Sequence, residues 1–278
     1  MSIRVTGVKV MAPEVRLLKG EGVPPMAAGQ PQPSMRSVER AFDVIEVLER
    51  SDKPLRLSDI ARRAGLSPAT TLRLLGVLQR RGFVVAEQQA YHLGPATLAA
   101  AHSFLVTDSL SRAATPVLQE LAATTGLTAT LHIRSGLERI VITRVDGADP
   151  LRYQLPIGHR LPLHLGAGKV LAAAMPEEEL DALMATVNDL STVGGKPVSE
   201  VDLRAELEQI RERGYHISVN ERALGSLGVS APVPRPDGHA MAAVGISGPA
   251  ERHPESEMLG IVPELRRAAA ALGRARDL

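Results

Sequence analysis

Residues 57–83 read LSDIARRAGLSPATTLRLLGVLQRRGF, which is two short helical patterns joined by Gly-Leu-Ser-Pro. We expect the first helix to be capped by Ser58 and to stop at Gly65, because serine suits the start of a helix and glycine the position after its end. Ser67 followed by Pro68 is a start signal for the second helix, since proline at the first helical position lacks only an N–H that would be unpaired there. Two helices joined by a tight turn predict a helix-turn-helix.

The second of these helices, which we expect to end at Gly82, is apolar on one side and basic on the other. Its apolar stripe has helical spacing and consists of Thr71, Leu74, Leu75 and Leu78. The opposite side has no acidic residue and consists of Ala69, Arg73, Gly76 and Arg80, with Thr70 and Leu72 on its flanks. Small residues beside arginines suit a helix that lies close to another surface, and the major groove of DNA admits a helix.

The flanking segments complete a winged helix-turn-helix over residues 35–94. SVERAFDVIEVLER has helical spacing and is expected to be capped by Ser37, and SDKPLRL interrupts it. FVVAEQQAYHL predicts two short strands around a turn at Glu87–Gln89.

Charge is local rather than global. The whole chain has a formal net charge of +1, so no overall basic field indicates nucleic acid. Residues 36–81 nevertheless hold ten basic and six acidic residues, and the acids concentrate on the first helix. We therefore expect the second and third helices to meet duplex DNA, with Thr70, Leu72 and Arg73 at base edges and Arg80 at a phosphate. A solvated basic face used for protein contacts is the alternative.

The remainder of the chain divides into three predicted parts. Residues 1–34 are rich in Gly, Pro and Gln and are expected to form a flexible extension. Residues 95–108 predict an Ala-rich linker helix, and residues 109–278 predict an α+β domain around an antiparallel sheet. The expected strands of that domain are LTATLHIR, RIVITRVD, LRYQL, GYHISV, SLGVSAPV and MAAVGISG.

Several further local predictions concern the same domain. Helices are expected at 109–125, 199–213 with a cap on Ser199, and from Pro254. Another is expected to have Pro176 at its first helical position. Asp237-Gly238 is the expected hairpin turn between the last two strands, and 156–168 is expected to be a loop.

Composition excludes several classes of site. The chain has no Cys, which excludes disulfides, zinc ribbons and thiol nucleophiles and favours a cytoplasmic location. No HxxH or HxxxH pair predicts a metal site, and no apolar run approaches the ~20 residues that span a membrane. LGAGKV fails the phosphate-loop pattern and GVSAP fails the nucleophile-elbow pattern, so we expect no catalytic residue and no cofactor.

From about Ser37 to the C-terminus the chain resembles the IclR family of bacterial transcriptional regulators. The resemblance rests on SVERAFDVIEVL, the stretch quoted above, YHLGP, RLPLHLGAGKVLAA, RERGY after a helix, and the closing VGISGP. It implies an N-terminal winged helix, a linker helix and a C-terminal effector-binding and oligomerisation domain with a GAF-like or profilin-like sheet. It also implies a homodimer or homotetramer, a repressor or activator, that binds double-stranded operator DNA and responds to a small metabolite, often a carboxylic acid or an aromatic compound.

The resemblance also assigns site residues. The DNA-binding set is Arg36, Arg56, Ser67, Ala69, Thr70, Leu72, Arg73 and Arg80. The effector-binding set is Gly166, Ala167, Gly168, Ser218, Gly228, Gly245 and Ser247. The backbone N–H groups of Gly166, Ala167 and Gly168 are expected to hold a ligand oxygen.

This chain departs from the family pattern in both sets. Many members carry Lys, Ser and His where it has Pro68, Ala69 and Leu72, so its operator is not transferable from them. Carboxylate-binding members carry Asp, Cys and Ser at three of the effector positions, where this chain has Ser218, Gly228 and Gly245. We therefore expect a roomier, less polar cavity and an effector bulkier than glyoxylate or pyruvate. Two other hypotheses are an enzyme with His164 or Glu221 as base, and a protein-interaction module.

Overall fold

The computed structural model describes residues 35–150, 155–186, 192–193, 195, 197–235, 240 and 242–276. The expected extension over residues 1–34 lies outside this set, as do residues 151–154 of an expected strand and the expected turn at Asp237-Gly238. The chain divides into two compact units, residues 1–93 and residues 94–278.

The first unit is a helix-turn-helix with a β-ribbon. Its elements are α1 (Arg36–Glu49), β1 (Leu55–Arg56), α2 (Leu57–Arg63), α3 (Pro68–Arg80), β2 (Val84–Glu87) and β3 (Ala90–Leu93). The strands form an antiparallel sheet in the order β1-β3-β2. The core consists of Val44, Leu48, Leu55, Ile60, Leu75, Leu78 and Val84. The predicted helices and the two wing strands are confirmed.

Two predicted helix caps are wrong, and the structure contains one strand that was not predicted. Ser37 lies inside the first turn of α1, because the helix begins one residue earlier and the N–H of Val38 donates to the carbonyl of Met35 at 2.7 Å. Ser58 lies inside α2, since β1 runs directly into that helix and Arg56 occupies the cap position. The strand β1 was not expected, and it gives the wing a third strand.

The second unit has a sheet between two layers of helices. Its helices are α4 (Pro95–Thr107), α5 (Ser109–Thr125), α6 (Ala167–Ala173), α7 (Glu177–Met184), α8 (Glu200–Arg213) and α9 (Glu255–Arg276). Its strands are β4 (Thr128–Ser135), β5 (Glu138–Val145), β6 (Arg160–Pro162), β7 (His216–Val219), β8 (Ser226–Pro232) and β9 (Ala242–Pro249). The six strands pair antiparallel in the order β6-β5-β4-β9-β8-β7. The predicted α+β class is confirmed.

The two faces of this sheet differ because side chains alternate along a strand. One face packs on α5 and α9 through aliphatic residues, for example Ala129, Leu131, Leu227, Val229, Val244 and Ile246. The intervening residues, for example Thr130, His132, Gly228, Ser230, Gly245 and Ser247, face the side that carries α6. A separate core of α6, α7 and α8 lies on that side.

Some local predictions for this unit are wrong by a residue or an element. The strand β6 lies inside the expected loop 156–168, where it pairs with β5. Pro176 is the cap of α7 and not its first helical residue. The helix α5 spans the expected residues 109–125, and its cap is Asp108, whose carboxylate accepts the N–H of Ser111 at 2.7 Å. Among the described residues, no helix is long and apolar enough to cross a membrane.

Candidate functional site

The start of α3 is fixed by its own side chains. Ser67 caps the helix as predicted, and its Oγ accepts the N–H of Thr70 at 3.2 Å. The Ser67 hydroxyl donates to Thr70 Oγ1 at 2.9 Å, which leaves the Thr70 hydroxyl hydrogen available to a further acceptor. Thr71 is buried, and its hydroxyl donates to the carbonyl of Ser67 at 3.0 Å. Together these bonds order the N-terminal turn.

The outer face of α3 carries cations that no carboxylate neutralises. Arg73 and Arg80 are exposed, and within the described chain neither forms an ion pair. A Cβ built on Gly76 would meet only the Arg80 side chain, at 3.8 Å, so this part of the helix surface is open. Ala69 is exposed, and Leu72 is 52% exposed. The leucine stripe on the opposite side holds α3 against the core.

The remaining residues of the DNA-binding set also lie on the surface. Arg36 is exposed at the start of α1, and Arg56 is exposed at the junction of β1 and α2. The unit therefore presents basic side chains from three elements, and α3 has no acidic residue to oppose them.

The second candidate site is a small cavity on the α6 side of the six-stranded sheet. Its volume is about 50 Å³. Six of the seven residues in the predicted effector set line it: Gly166, Ala167, Ser218, Gly228, Gly245 and Ser247. Small residues form its floor, among them Gly245, Ser230 and Thr130. A Cβ on Gly245 would contact the other two, at 3.5 Å from Ser230 Cβ and 3.6 Å from Thr130 Oγ1.

Gly168 has a packing role instead. A Cβ at this position would lie 2.6 Å from the carbonyl oxygen of Pro162 and 2.7 Å from Leu163 Cα, so only glycine fits there. Its N–H donates to the carbonyl of Leu165 at 3.0 Å. Gly168 therefore presents no donor to a ligand, contrary to the expectation for the glycine-rich loop.

A carboxylate of the protein occupies a second N–H of that loop. The N–H of Gly166 donates to Glu221 Oε2 at 2.6 Å, and Lys169 Nζ donates to Glu221 Oε1 at 2.8 Å. Lys169 also pairs with Glu206 at 2.6 Å, and His216 Nε2 lies 3.1 Å from Glu221 Oε1. Burial works to raise the pKa of Glu221, but the hydrogen bond and charge of His216 and Lys169 outweigh it and hold the pKa at about 2.

The polar character of the cavity comes from residues outside the predicted set. Arg139, Arg222 and His132 all line it, and Arg139 is 2% exposed. Burial, together with the charge of Arg222, lowers the pKa of Arg139 to about 9. Burial, followed by the charges of Arg139 and Arg222, lowers the pKa of His132 well below its ordinary value. The cavity of this chain is small and carries two guanidinium groups, and the expectation that it is roomier and less polar than in carboxylate-binding members stays a prediction.

A sequence signal for these residues exists. In β4 the alternation of TATLHIRS places Thr128, Thr130 and His132 on one face and aliphatic residues on the other. A buried strand whose second face is polar indicates a lined cavity rather than solvent. Arg139 carries no comparable signal, because an arginine after a turn usually reaches solvent.

The enzyme hypothesis finds little support in the geometry. Glu221 is held by a lysine, a histidine and a backbone N–H, and its low pKa makes it a weak base. His164 is 3% exposed, and burial followed by the charge of Lys169 lowers its pKa. Among the residues that the structure describes, no group of three His, Asp or Glu side chains is arranged to hold a metal ion.

Comparison with known proteins identifies both units. A model of the IclR helix-turn-helix domain matches residues 37–88, and the model of the bacterial transcriptional regulator IclR C-terminal domain matches residues 102–274. The chain belongs to the IclR family. As an IclR-family protein it is a DNA-binding transcriptional regulator.

Relatives and solved structures agree with this membership. The HTH-type transcriptional repressor AllR of Escherichia coli (strain K12) is 31% identical over 248 residues, which cover 87% of this chain and 90% of that protein. A structure from Rhodococcus sp. RHA1, described as that of a transcriptional regulator, is 28% identical with a TM-score of 0.69 and covers 88% of this chain and 99% of that chain. An IclR homologue from Microbacterium hydrocarbonoxydans, complexed with 4-hydroxybenzoate, shares the fold at 21% identity with a TM-score of 0.68, covering 87% of this chain and 99% of that chain.

The IclR helix-turn-helix model thus includes α1, α2 and α3, and the C-terminal model includes every residue that lines the cavity. The two candidate sites of this IclR-family chain, the outer face of α3 and the cavity, lie in different units.

Proposed function

We propose that this chain is a repressor that reads an operator with α3 and releases or engages it when a small organic acid enters the cavity of the second unit. The observation that carries the proposal is the outer face of α3, where Arg73 and Arg80 are exposed and unopposed by carboxylates. Because its partner is chromosomal DNA, the protein is expected to act in the cytoplasm.

On this proposal the N-terminal turns of α3 enter the major groove, as recognition helices do. Arg73 forks to a guanine, Thr70 donates its free hydroxyl hydrogen, and Leu72 with Ala69 contacts thymine methyl groups. Arg36, Arg56 and Arg80 contact phosphates, and each phosphate that they neutralise adds about 0.9 to the salt slope. Ser67, whose hydroxyl hydrogen is donated to Thr70, contacts a phosphate through its backbone N–H.

The direct test is a footprint of the full chain on DNA that flanks its own gene. We expect protection of two half-sites about one helical turn apart, or a multiple of it. Arg73→Ala should weaken operator binding by about 1–3 kcal/mol and relax discrimination at one base pair. Arg112→Ala, an exposed arginine on α5, is the matched control and should leave the footprint unchanged. An unaltered footprint with Arg73→Ala would remove α3 as the reading element.

Leu72 gives a chemical test of the groove-facing surface. Replacing thymine by uracil at contacted positions deletes the methyl group alone. Wild-type affinity should fall several-fold on the uracil operator, whereas Leu72→Ala should keep only the part of this difference that Ala69 contributes. A uracil operator that binds the wild type as well as the thymine operator would place Leu72 away from the bases.

The effector part of the proposal is supported by Arg139. Its guanidinium is buried, and two of its nitrogens have no hydrogen-bond acceptor in the described chain. Binding an anion there would supply both the acceptors and the opposite charge. A carboxylate is the smallest organic group that supplies both. Calorimetry of organic acids against the full chain, with Arg139→Met as the non-binding variant, tests this. Footprints with and without each bound acid then show whether occupancy changes operator binding.

Repression, rather than activation, is proposed because relatives of this chain are named repressors. Deleting the gene should raise expression of a reporter fused to the footprinted promoter. A fall in reporter expression would reverse the sign of regulation without altering the assignment of α3.

Dimerisation is proposed from exposed apolar side chains. Met35, which precedes α1, is 70% exposed, Phe42 of α1 is 60% exposed, and Leu98 of α4 is 73% exposed. The helix α4 buries none of its residues although nine of its 13 residues are apolar. A second copy would cover such surfaces and pair two recognition helices on one operator. An effector that fits one dimer arrangement better would shift their spacing. Sedimentation equilibrium should give at least a dimer, and a monomer at operator-binding concentrations would contradict this.

A further inference from the structure

Two buried residues of the cavity have polar atoms that lack partners. Arg139 is 2% exposed, and its Nε and Nη1 have no hydrogen-bond partner among the described residues. His132 is 3% exposed, and its Nδ1 likewise has none there. Both side chains line the same cavity. Buried polar atoms are rarely left unpaired, so an occupant that satisfies both is expected.

The two side chains are neighbours on one face of the sheet. His132 is paired with Val141 across the β4–β5 ladder, and Arg139 lies two residues from Val141 on the same strand. Residues two apart on a strand point to the same face, which makes His132 and Arg139 diagonal neighbours. A single small molecule can therefore touch both.

A chain of hydrogen bonds fixes the tautomer of His132. The Thr130 hydroxyl donates to the carbonyl of Gly245 at 3.3 Å, which uses its only hydrogen. His132 Nε2 lies 3.1 Å from Thr130 Oγ1, and with the Thr130 hydrogen directed to Gly245 we assign the N–H of this pair to Nε2. Nδ1 then carries a lone pair and accepts. Because burial and the nearby guanidinium charges lower the pKa of His132, the ring is neutral at pH 7 and stays an acceptor.

Arg139 differs from His132 in offering hydrogen-bond donors and a positive charge. Although burial and Arg222 lower the pKa of Arg139 to about 9, this guanidinium is still a cation at pH 7. It lies close to the glycine-rich loop, since a Cβ on Gly166 would be 3.7 Å from both Nη1 and Nη2. The cavity therefore joins a cationic donor to a neutral acceptor.

We infer that the cavity selects a small organic acid that also carries a hydrogen-bond donor, namely a hydroxy acid, over the keto acid of the same skeleton. The inference rests on the proposed function, in which the cavity holds the effector. The carboxylate accepts from Arg139, and the hydroxyl donates to His132 Nδ1. A keto oxygen has no hydrogen to donate, so it leaves Nδ1 unpaired and sets two lone pairs against each other.

Matched acids on the full chain test this selection. Calorimetry should give a dissociation constant about 10- to 100-fold lower for lactate than for pyruvate, the range expected when a buried acceptor loses its donor. Malate against oxaloacetate and mandelate against phenylglyoxylate extend the comparison to larger skeletons, with both enantiomers of each hydroxy acid. Equal binding within the pairs, tighter binding of the keto acids, or no binding of any of the six acids overturns the inference.

Variants and tautomer spectroscopy assign the selection to these two residues. His132→Phe removes the acceptor and should equalise lactate and pyruvate, whereas Arg139→Met should abolish binding of both. Imidazole ¹⁵N spectra of the wild type need no variant: they should show the Nε2–H tautomer in the free protein and a hydrogen bond to Nδ1 after lactate is added. An Nδ1–H tautomer in the free protein would also overturn the inference.

Operator binding is measured on the same preparations. If every acid fails while the footprint persists, the inference fails and DNA reading by α3 stands. If the wild type gives no footprint either without ligand or with any of the acids, the proposed function itself fails.

Discussion

The two faces of the six-stranded sheet are made by alternate residues of the same strands, yet they differ in nearly every physical respect. On the face toward α5 and α9, Leu131, Val229 and Val244 are almost completely buried among other aliphatic side chains. On the face toward α6, His132, Ser230 and Gly245 border a cavity that also contains Arg139. One face buries aliphatic side chains against each other, and the other buries a guanidinium and an imidazole beside a cavity.

Within this one sheet, the aliphatic face contributes to stability and the cavity face to ligand binding. The aliphatic face gains free energy in the ligand-free protein, since it removes apolar area from water. The cavity face loses free energy there, because Arg139 and His132 are desolvated without partners for all their polar atoms. An effector that supplies those partners recovers the loss, so the cavity face is stabilised only when it is occupied.

The largest effect should come from breaking the aliphatic face. Leu131→Ala removes a fully buried side chain and leaves a cavity, which should cost about 3 kcal/mol. Hydrogen exchange of β4 amides in the full chain measures the loss. Leu224→Ala makes the same truncation at a side chain that is 70% exposed, and should change these amides by less than about 0.5 kcal/mol. Equal costs would mean that the aliphatic face is not the core of this unit.

Removing the charge from the cavity face should stabilise the ligand-free protein. A cation whose pKa falls to about 9 on folding favours the unfolded chain below that pH, so Arg139→Met should raise stability by about 1–4 kcal/mol at pH 7. Slower exchange of β5 amides and a higher urea midpoint would show it. Arg144→Met on the same strand removes the partner of Asp146, 2.8 Å away, and should not stabilise. If Arg139→Met destabilised the ligand-free protein, the view that the cavity face costs stability there would be wrong.

The free energy of unfolding should depend on pH through Glu221, whose carboxylate binds the loop beside the cavity. Because the folded protein holds the pKa of Glu221 at about 2, its carboxylate stabilises the fold fully above pH 4.5, and the contribution is lost as pH falls from 4.5 towards 2. Glu221→Gln should therefore cost about 2 kcal/mol at pH 7, and the difference from wild type should shrink between pH 4.5 and pH 3. Urea unfolding across this range measures it. Glu178→Gln, at an exposed helix start, should give no such trend. A constant difference would contradict the predicted linkage.

The smallest effect should come from filling the cavity. At Gly245 a Cβ would make only ordinary contacts of 3.5 Å or more, so Gly245→Ala should change stability by less than about 1 kcal/mol while weakening acid binding several-fold. At Gly228 a Cβ would lie 3.0 Å from the carbonyl oxygen of Ile246, so Gly228→Ala should destabilise by about 1–2 kcal/mol. Calorimetry measures acid binding by the two glycine variants, and thermal unfolding measures their stability. Unchanged acid affinity in Gly245→Ala would place the ligand elsewhere.

Local sequence signals predicted the helix-turn-helix well. Ser67, Pro68 and the leucine stripe of α3 act within a few residues of each other, and the structure has them in the predicted places. The same reasoning failed at Ser37 and Ser58, because a serine near a helix start caps it only if the preceding chain is not already helical or already part of a strand. In the glycine-rich loop it identified a turn but not that Glu221, far along the chain, would occupy the N–H of Gly166.

The amino-acid sequence was enough to predict most of the helices and strands, though not β1 or β6, together with the basic side of α3 and the antiparallel sheet of the second unit. These follow from periodicity, caps and turns, which act over a few residues. Only the tertiary structure decided that β4, β5, β8 and β9 meet to enclose a cavity, and that Arg139 is buried in it. The reason is that burial and pKa depend on which distant strands become neighbours, and strand order is set by the packing of the whole domain rather than by any local pattern.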